Sequence, residues 1–188
     1  MCEVFMNFEI SEFMHRKEKN YIEYSYKRQG YYCYNGGPKV SKTLIIGFGN
    51  LLMGDDGAGI HAVRRLAAFP LPAQVEVIDG GVNSFAALTE IHNAAKVIFI
   101  DAMQGGGQPG DVYCLTLADF KALPSGGELS VHEFSLADTL YLYRQMGELP
   151  PVIIYGIEPA NLDWGVELSP SIGAAVENVV SKVLSEIL

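Results

Sequence analysis

The apolar run Leu44-Ile45-Ile46 leads without a break into Gly47-Phe48-Gly49-Asn50 and then into Asp55-Asp56-Gly57. A strand that ends in a glycine turn and restarts as a helix belongs to open α/β folds. In such a turn the helix N-terminus usually meets an anion, because its free N–H groups and dipole carry roughly half a positive charge. Here two carboxylates fall where a nucleotide phosphate would sit. In the first helical turn they neutralise that charge and present oxygen ligands at the carboxyl edge of a sheet, which suits a cation. The dinucleotide fingerprint also fails. G-x-G-x-x-G requires glycine where the chain has Leu52, and Asp79 lies 30 residues past Gly49 rather than about 20.

From Lys42 onward, short β-type runs alternate with helical patterns, which predicts an α/β fold: a three-layer αβα arrangement of the phosphorylase/hydrolase kind, with helices on both faces of a twisted five-stranded sheet. Strands are expected at 43–48, 74–79, 95–101, 111–116 and 151–156. The nearly unbroken apolar character of Leu44-Ile45-Ile46, Val75-Glu76-Val77-Ile78 and Val97-Ile98-Phe99-Ile100 reads as three central parallel strands. The short connection Gly105-Gly106-Gly107-Gln108-Pro109-Gly110 leaves 111–116 antiparallel to its predecessor, so the sheet is mostly parallel with one exception. Helices are expected at 56–68, 83–92, 134–147 and 170–187. The last has Ser169 as a cap, Pro170 in its first turn and an apolar stripe through Ile172, Val176, Val179, Val180, Val183, Leu184 and Ile187.

A chain of 188 residues that is 49% hydrophobic has material for one sizeable core. Residues 1–40 differ from the rest: they hold six of the ten tyrosines and close on Gly36-Gly37-Pro38. We place a boundary there, with a single α/β domain over 41–188. An ordered aromatic arm and a mobile or mis-started extension are equal readings of the first segment, and no function is assigned to it. That segment carries six of the 13 Lys and Arg and five of the 22 Asp and Glu, so with −9 overall the body carries −10. Its basic residues are scattered, which argues against a nucleic-acid partner. No apolar run is long enough to span a bilayer, the start does not resemble a secretory signal, and Cys2, Cys33 and Cys114 form no C-x-x-C pair. The expectation is a soluble cytoplasmic protein with free thiols.

In parallel α/β sheets, ligands bind beyond the carboxyl ends of the strands. Three such ends bear carboxylates: Asp55-Asp56 after the first strand, Asp79 in Asp79-Gly80-Gly81, and Asp101 after Val97-Ile98-Phe99-Ile100. Any one of them is more simply a helix cap, but three at neighbouring ends suggest a site. Of the four histidines, His15 lies in the first segment, His61 within the first helix and His92 near the end of the second. His132, in Ser130-Val131-His132-Glu133 at the start of the next helix, is the best imidazole ligand. Asp56, Asp101 and His132 would form a three-ligand site with open positions, of the sort that lets a metal meet a substrate. Asp55 and Asp79 would then support the ligands or orient substrate. No G-x-S-x-G elbow is present and Cys114 has no histidine partner in view, so Ser and Cys hydrolases are disfavoured.

The ordered set Gly47-Phe48-Gly49-Asn50-Leu51-Leu52-Met53-Gly54-Asp55-Asp56-Gly57-Ala58-Gly59, Asp79-Gly80-Gly81, Asp101-Ala102, Val131-His132 and Tyr155-Gly156-Ile157-Glu158-Pro159 resembles the nickel-iron hydrogenase maturation proteases from about residue 42 to the end. The resemblance implies an aspartyl-type endopeptidase that removes a C-terminal extension from the hydrogenase large-subunit precursor after nickel insertion. It implies nickel binding at Asp56, Asp101 and His132, with Asp79 as a further catalytic candidate. The first ligand is glutamate in some members and the shorter aspartate here. The nickel would be supplied by the substrate, and other divalent metals would fit the same donors. Two alternatives stand beside this reading: a nickel-sensing module that does not cut, and a peptidyl-tRNA hydrolase-like esterase, whose opening Gly-x-Gly-Asn this chain shares while lacking the Pro-Gly that follows it there.

Overall fold

The computed structural model describes residues 42–82, 94–119 and 149–188, together with Ile91, Leu136, Leu140 and four short strands before residue 35. The chain divides into two compact units, Met1–Pro38 and Lys39–Leu188. In the first, β1 (Lys17–Glu18) pairs antiparallel with β2 (Tyr21–Ile22), and β3 (Ser25–Arg28) with β4 (Tyr31–Tyr34).

The second unit is built on five strands, β5 (Lys42–Gly47), β6 (Val75–Asp79), β7 (Ala94–Ala102), β8 (Val112–Thr116) and β9 (Val152–Ile157), in the order β6-β5-β7-β9-β8. All neighbours are parallel except β8 and β9, which run antiparallel. Each expected strand is present within one residue or so of its expected ends. Two expectations about placement are corrected. β6 is an edge strand, and Val75, Glu76, Val77 and Ile78 are only half-buried; β9, with Val152, Ile154, Tyr155 and Ile157 buried, takes the central place instead. An apolar run marks a strand but does not say how many neighbours it has. β8 runs in the expected direction, yet it pairs with β9 and not with its predecessor β7.

Alternation along the strands divides the core in two. Ile45, Ile98, Ile100, Tyr155 and Ile157 meet α1 (Ala58–Leu66) and α2 (Pro170–Ile187) on one face. Leu44, Ile46, Val97, Phe99, Val152 and Ile154 pack against Ile91, Leu136 and Leu140 on the other. These three residues are the described part of the helices expected at 83–92 and 134–147, and each is helical. In α2 the stripe forms as expected, with Ile172, Val176, Val179, Val180 and Val183 buried. Each such side chain withdrawn from water contributes roughly 1.5–3 kcal/mol before the entropy of ordering it. No helix among the described residues is long and apolar enough to cross a membrane.

Candidate active site

The order β6-β5-β7 makes a topological switch point: the chain leaves β5 through α1 to reach β6 on one side, while β7 lies on the other side of β5. α1 and Ile91 lie on opposite faces of the sheet, and the carboxyl ends of β5 and β7 at such a point are where open α/β sheets form the crevice for a ligand. Asp56 follows β5, and Asp101 lies at the end of β7.

Glycines let the turn after β5 press against these strand ends. Gly49 has φ +134, and a Cβ there would meet the Asp56 carbonyl oxygen at 1.8 Å; a Cβ on Gly59 would meet the Ile100 carbonyl oxygen at 2.2 Å. Phe48 N–H donates to the Ile100 carbonyl at 2.9 Å and Gly49 N–H to that of Gly81 at 3.0 Å. The close approach that these glycines permit is thus made to the chain's own backbone. The expected single helix over 56–68 is a 3-10 turn, Gly54–Gly57, followed by α1.

The paired carboxylates of this turn have different environments. Asp55 is buried, and its side chain accepts three backbone N–H groups: Ala160 at 3.0 Å and Asn161 at 2.8 Å on Oδ2, and Ser169 at 2.6 Å on Oδ1. It anchors the loop before α2 and does not face the crevice chemistry. Ser169 holds the cap position, but its hydroxyl makes no cap bond; its N–H is used by Asp55. Asp56 accepts Asn50 N–H at 2.7 Å and remains partly exposed.

Asp101 is the perturbed group of the pair. Burial pushes its pKa up to about 7, and the negative charge of Asp56 adds to the effect against a hydrogen bond from the Ala102 backbone. Two carboxylates that repel, one of them holding its proton toward neutrality, are a donor set suited to a divalent cation. Asp79 is exposed at the end of the edge strand, where it accepts Arg64 at 3.2 Å and Gly81 N–H at 3.1 Å. His132 lies outside the described residues, and among the described residues no three His, Cys, Asp or Glu side chains form a metal cluster. His61, on α1, is held below the ordinary imidazole pKa by burial and by Arg65 and Arg64.

The family model for hydrogenase maturation proteases matches residues 60–186. The chain belongs to this family. It is 31% identical over 147 residues to the hydrogenase 2 maturation protease of Escherichia coli, covering 77% of this chain and 89% of that one. It is 28% identical over 152 residues to the hydrogenase expression/formation protein HupD of Rhodobacter capsulatus, covering 79% and 72%. Among solved structures it resembles the hydrogenase maturating endopeptidase HybD from E. coli, with a TM-score of 0.66 at 30% identity over 77% of this chain and 91% of that one. This maturation protease is therefore an endopeptidase on a mostly parallel five-stranded sheet.

In the protease, Glu158 is a second loop anchor that the sequence reading placed in a motif but gave no role. Its Oε2 accepts Tyr113 OH at 2.6 Å, Gly105 N–H at 2.7 Å and Gly107 N–H at 3.2 Å. These bonds, that from Tyr113 foremost, hold its carboxyl below the usual range. It thereby orders the glycine loop that follows Asp101. The available signal was a carboxylate directly after a buried strand, facing a run of glycines with N–H groups to satisfy.

Proposed function

We propose that this protease removes the C-terminal extension of the nickel-iron hydrogenase large-subunit precursor in the cytoplasm, and that Asp56, Asp101 and His132 recognise the nickel the precursor carries. The observation that carries this reading is the Asp56–Asp101 pair at the switch point, where burial and mutual repulsion raise Asp101 to about 7. A divalent cation relieves that repulsion, and an imidazole beside two carboxylates favours nickel, zinc, iron or manganese over magnesium. Support for His132 comes from its neighbours in sequence. Leu136 and Leu140 pack with Val97 and Phe99, and by strand alternation Asp101 belongs to that same face of β7. The nickel is part of the substrate in this scheme, and other divalent ions compete for the same donors. Asp79, fixed by Arg64 and Gly81, is the group that orients the precursor peptide at the rim.

The test is to mix the pure protein with nickel-loaded precursor and follow loss of the C-terminal peptide by mass. Wild type processes the precursor; His132→Ala and Asp101→Asn do not, while both remain folded by circular dichroism. Binding without cleavage by wild type would replace the protease reading with that of a nickel-holding module. Normal processing by either variant would remove the three-ligand site.

A further inference from the structure

Three large apolar side chains lie exposed beside the proposed site: Leu52 is 53% exposed, Trp164 81% and Val166 66%. They are brought together by backbone. Gly165 N–H donates to the Leu52 carbonyl at 3.0 Å, Gly54 N–H donates to the Gly165 carbonyl at 2.8 Å, and Met53 and Gly165 form a parallel bridge. With Gly165 as the bridged residue, Trp164 and Val166 project to the same side. The loop that carries them is anchored by Asp55 through Ala160, Asn161 and Ser169, and Asp163 N–H is fixed by the Asn161 side chain at 2.8 Å. An exposed tryptophan on a loop held this firmly is pre-organised for contact, since little further ordering is needed when a partner arrives.

The surroundings say what kind of partner. Asp163 and Glu167 flank the apolar group and are exposed, and the sequence contains no Lys or Arg between Lys42 and Arg64 or between Arg144 and Lys182. A complementary surface is apolar at its centre and basic at its edge. Leu52 stands in the same turn as Asn50 and Asp56, so whatever covers this patch continues into the crevice.

We infer that Leu52, Trp164 and Val166 form the docking surface for the hydrogenase precursor, receiving an apolar segment with flanking Lys or Arg close to the cleavage site. This rests on the proposed precursor-processing function. Docking here sets affinity and leaves bond cleavage to the crevice.

Trp164 is the sole tryptophan of the chain, so full-length protein labelled with fluorotryptophan gives one fluorine resonance to follow during titration with nickel-loaded precursor. The resonance shifts on binding. Trp164→Ala weakens precursor binding by about tenfold or more, the loss falls mostly on KM, and Trp164→Phe restores part of it. Phe69→Ala, which removes an exposed apolar side chain elsewhere, leaves KM unchanged. Processing by wild type with no resonance shift and an unaltered KM for Trp164→Ala would overturn the docking surface while leaving the proposed function standing. A shift that follows protein concentration without precursor would overturn it in favour of a second copy of this chain. Absence of processing by wild type would defeat both.

Discussion

Asp55 Oδ1 accepts the backbone N–H of Ser169 at 2.6 Å, joining the turn that carries Asp56 to the residue before α2. Two adjacent aspartates thus divide the work of one motif. Replacing Asp55 with Ala leaves three N–H groups without the buried carboxylate they bond to, and Asp55→Asn sets an amide donor against at least one of them. Both variants should lose about 2 to 4 kcal/mol of stability, against less than about 1 kcal/mol for Asp56→Ala. Denaturant midpoints compare them directly, and equal losses at the two positions would contradict the assignment.

Asp101 is raised from 3.8 to about 7 on folding, burial being the larger cause and Asp56 the next. The folded form binds the proton more tightly, so this group's contribution to stability is complete below its unfolded pKa of 3.8 and is lost as pH rises through about 7. Asp101→Asn should therefore be more stable than wild type above about pH 7 and gain nothing near pH 3.8. Asp56→Asn should move the Asp101 midpoint downward in a carbon-detected titration of its carboxyl. An unmoved midpoint would mean the two side chains do not interact.

Glu158 is lowered by Tyr113 first and by the Gly105, Gly107 and Gly106 amides after it, against the opposing effect of burial. Its contribution to loop order is present above the unfolded pKa and lost as pH falls through the folded one. Glu158→Gln should speed hydrogen exchange at the Gly105 and Gly107 amides without changing exchange in the middle of β7. Tyr113→Phe, which removes the largest cause, should raise the Glu158 pKa and loosen the same amides at less acid pH.

Gly47 and Gly173 offer a contrast within one chain. A Cβ on Gly47 would meet the Gly59 carbonyl oxygen at 2.2 Å, while one on Gly173, inside α2, would meet nothing within 4 Å. Gly47→Ala should cost more than about 3 kcal/mol or prevent folding, because the obstacle is backbone. Gly173→Ala should stabilise by roughly 0.5–1 kcal/mol through helix propensity. Thermal unfolding of the two variants decides it.

The strands and α2 were legible because their signals are local: runs such as Val97-Ile98-Phe99-Ile100 and the stripe from Ile172 to Val183 need no knowledge of the rest of the chain. Strand order was not, since the half-buried state of Val75 and Val77 depends on β5 having its other side taken by β7. The same limit applied at the site. Asp56 and Asp101 could be picked out as strand-end carboxylates, but nothing near Asp55 in sequence announces partners at Ala160 and Ser169, more than a hundred residues away. Glu158 was missed for the same reason, its partners being Gly105, Gly107 and Tyr113.

Asp55 holds both ends of one short stretch of chain, Ala160 and Asn161 at its start and Ser169 at its close, while Glu158, just before it, clasps the glycine loop after Asp101. That stretch is a strap fastened to the turn of Asp56, and Trp164 stands exposed midway along it. A partner seated on Trp164 therefore meets a surface pinned on both sides, not a loose loop that must first be ordered.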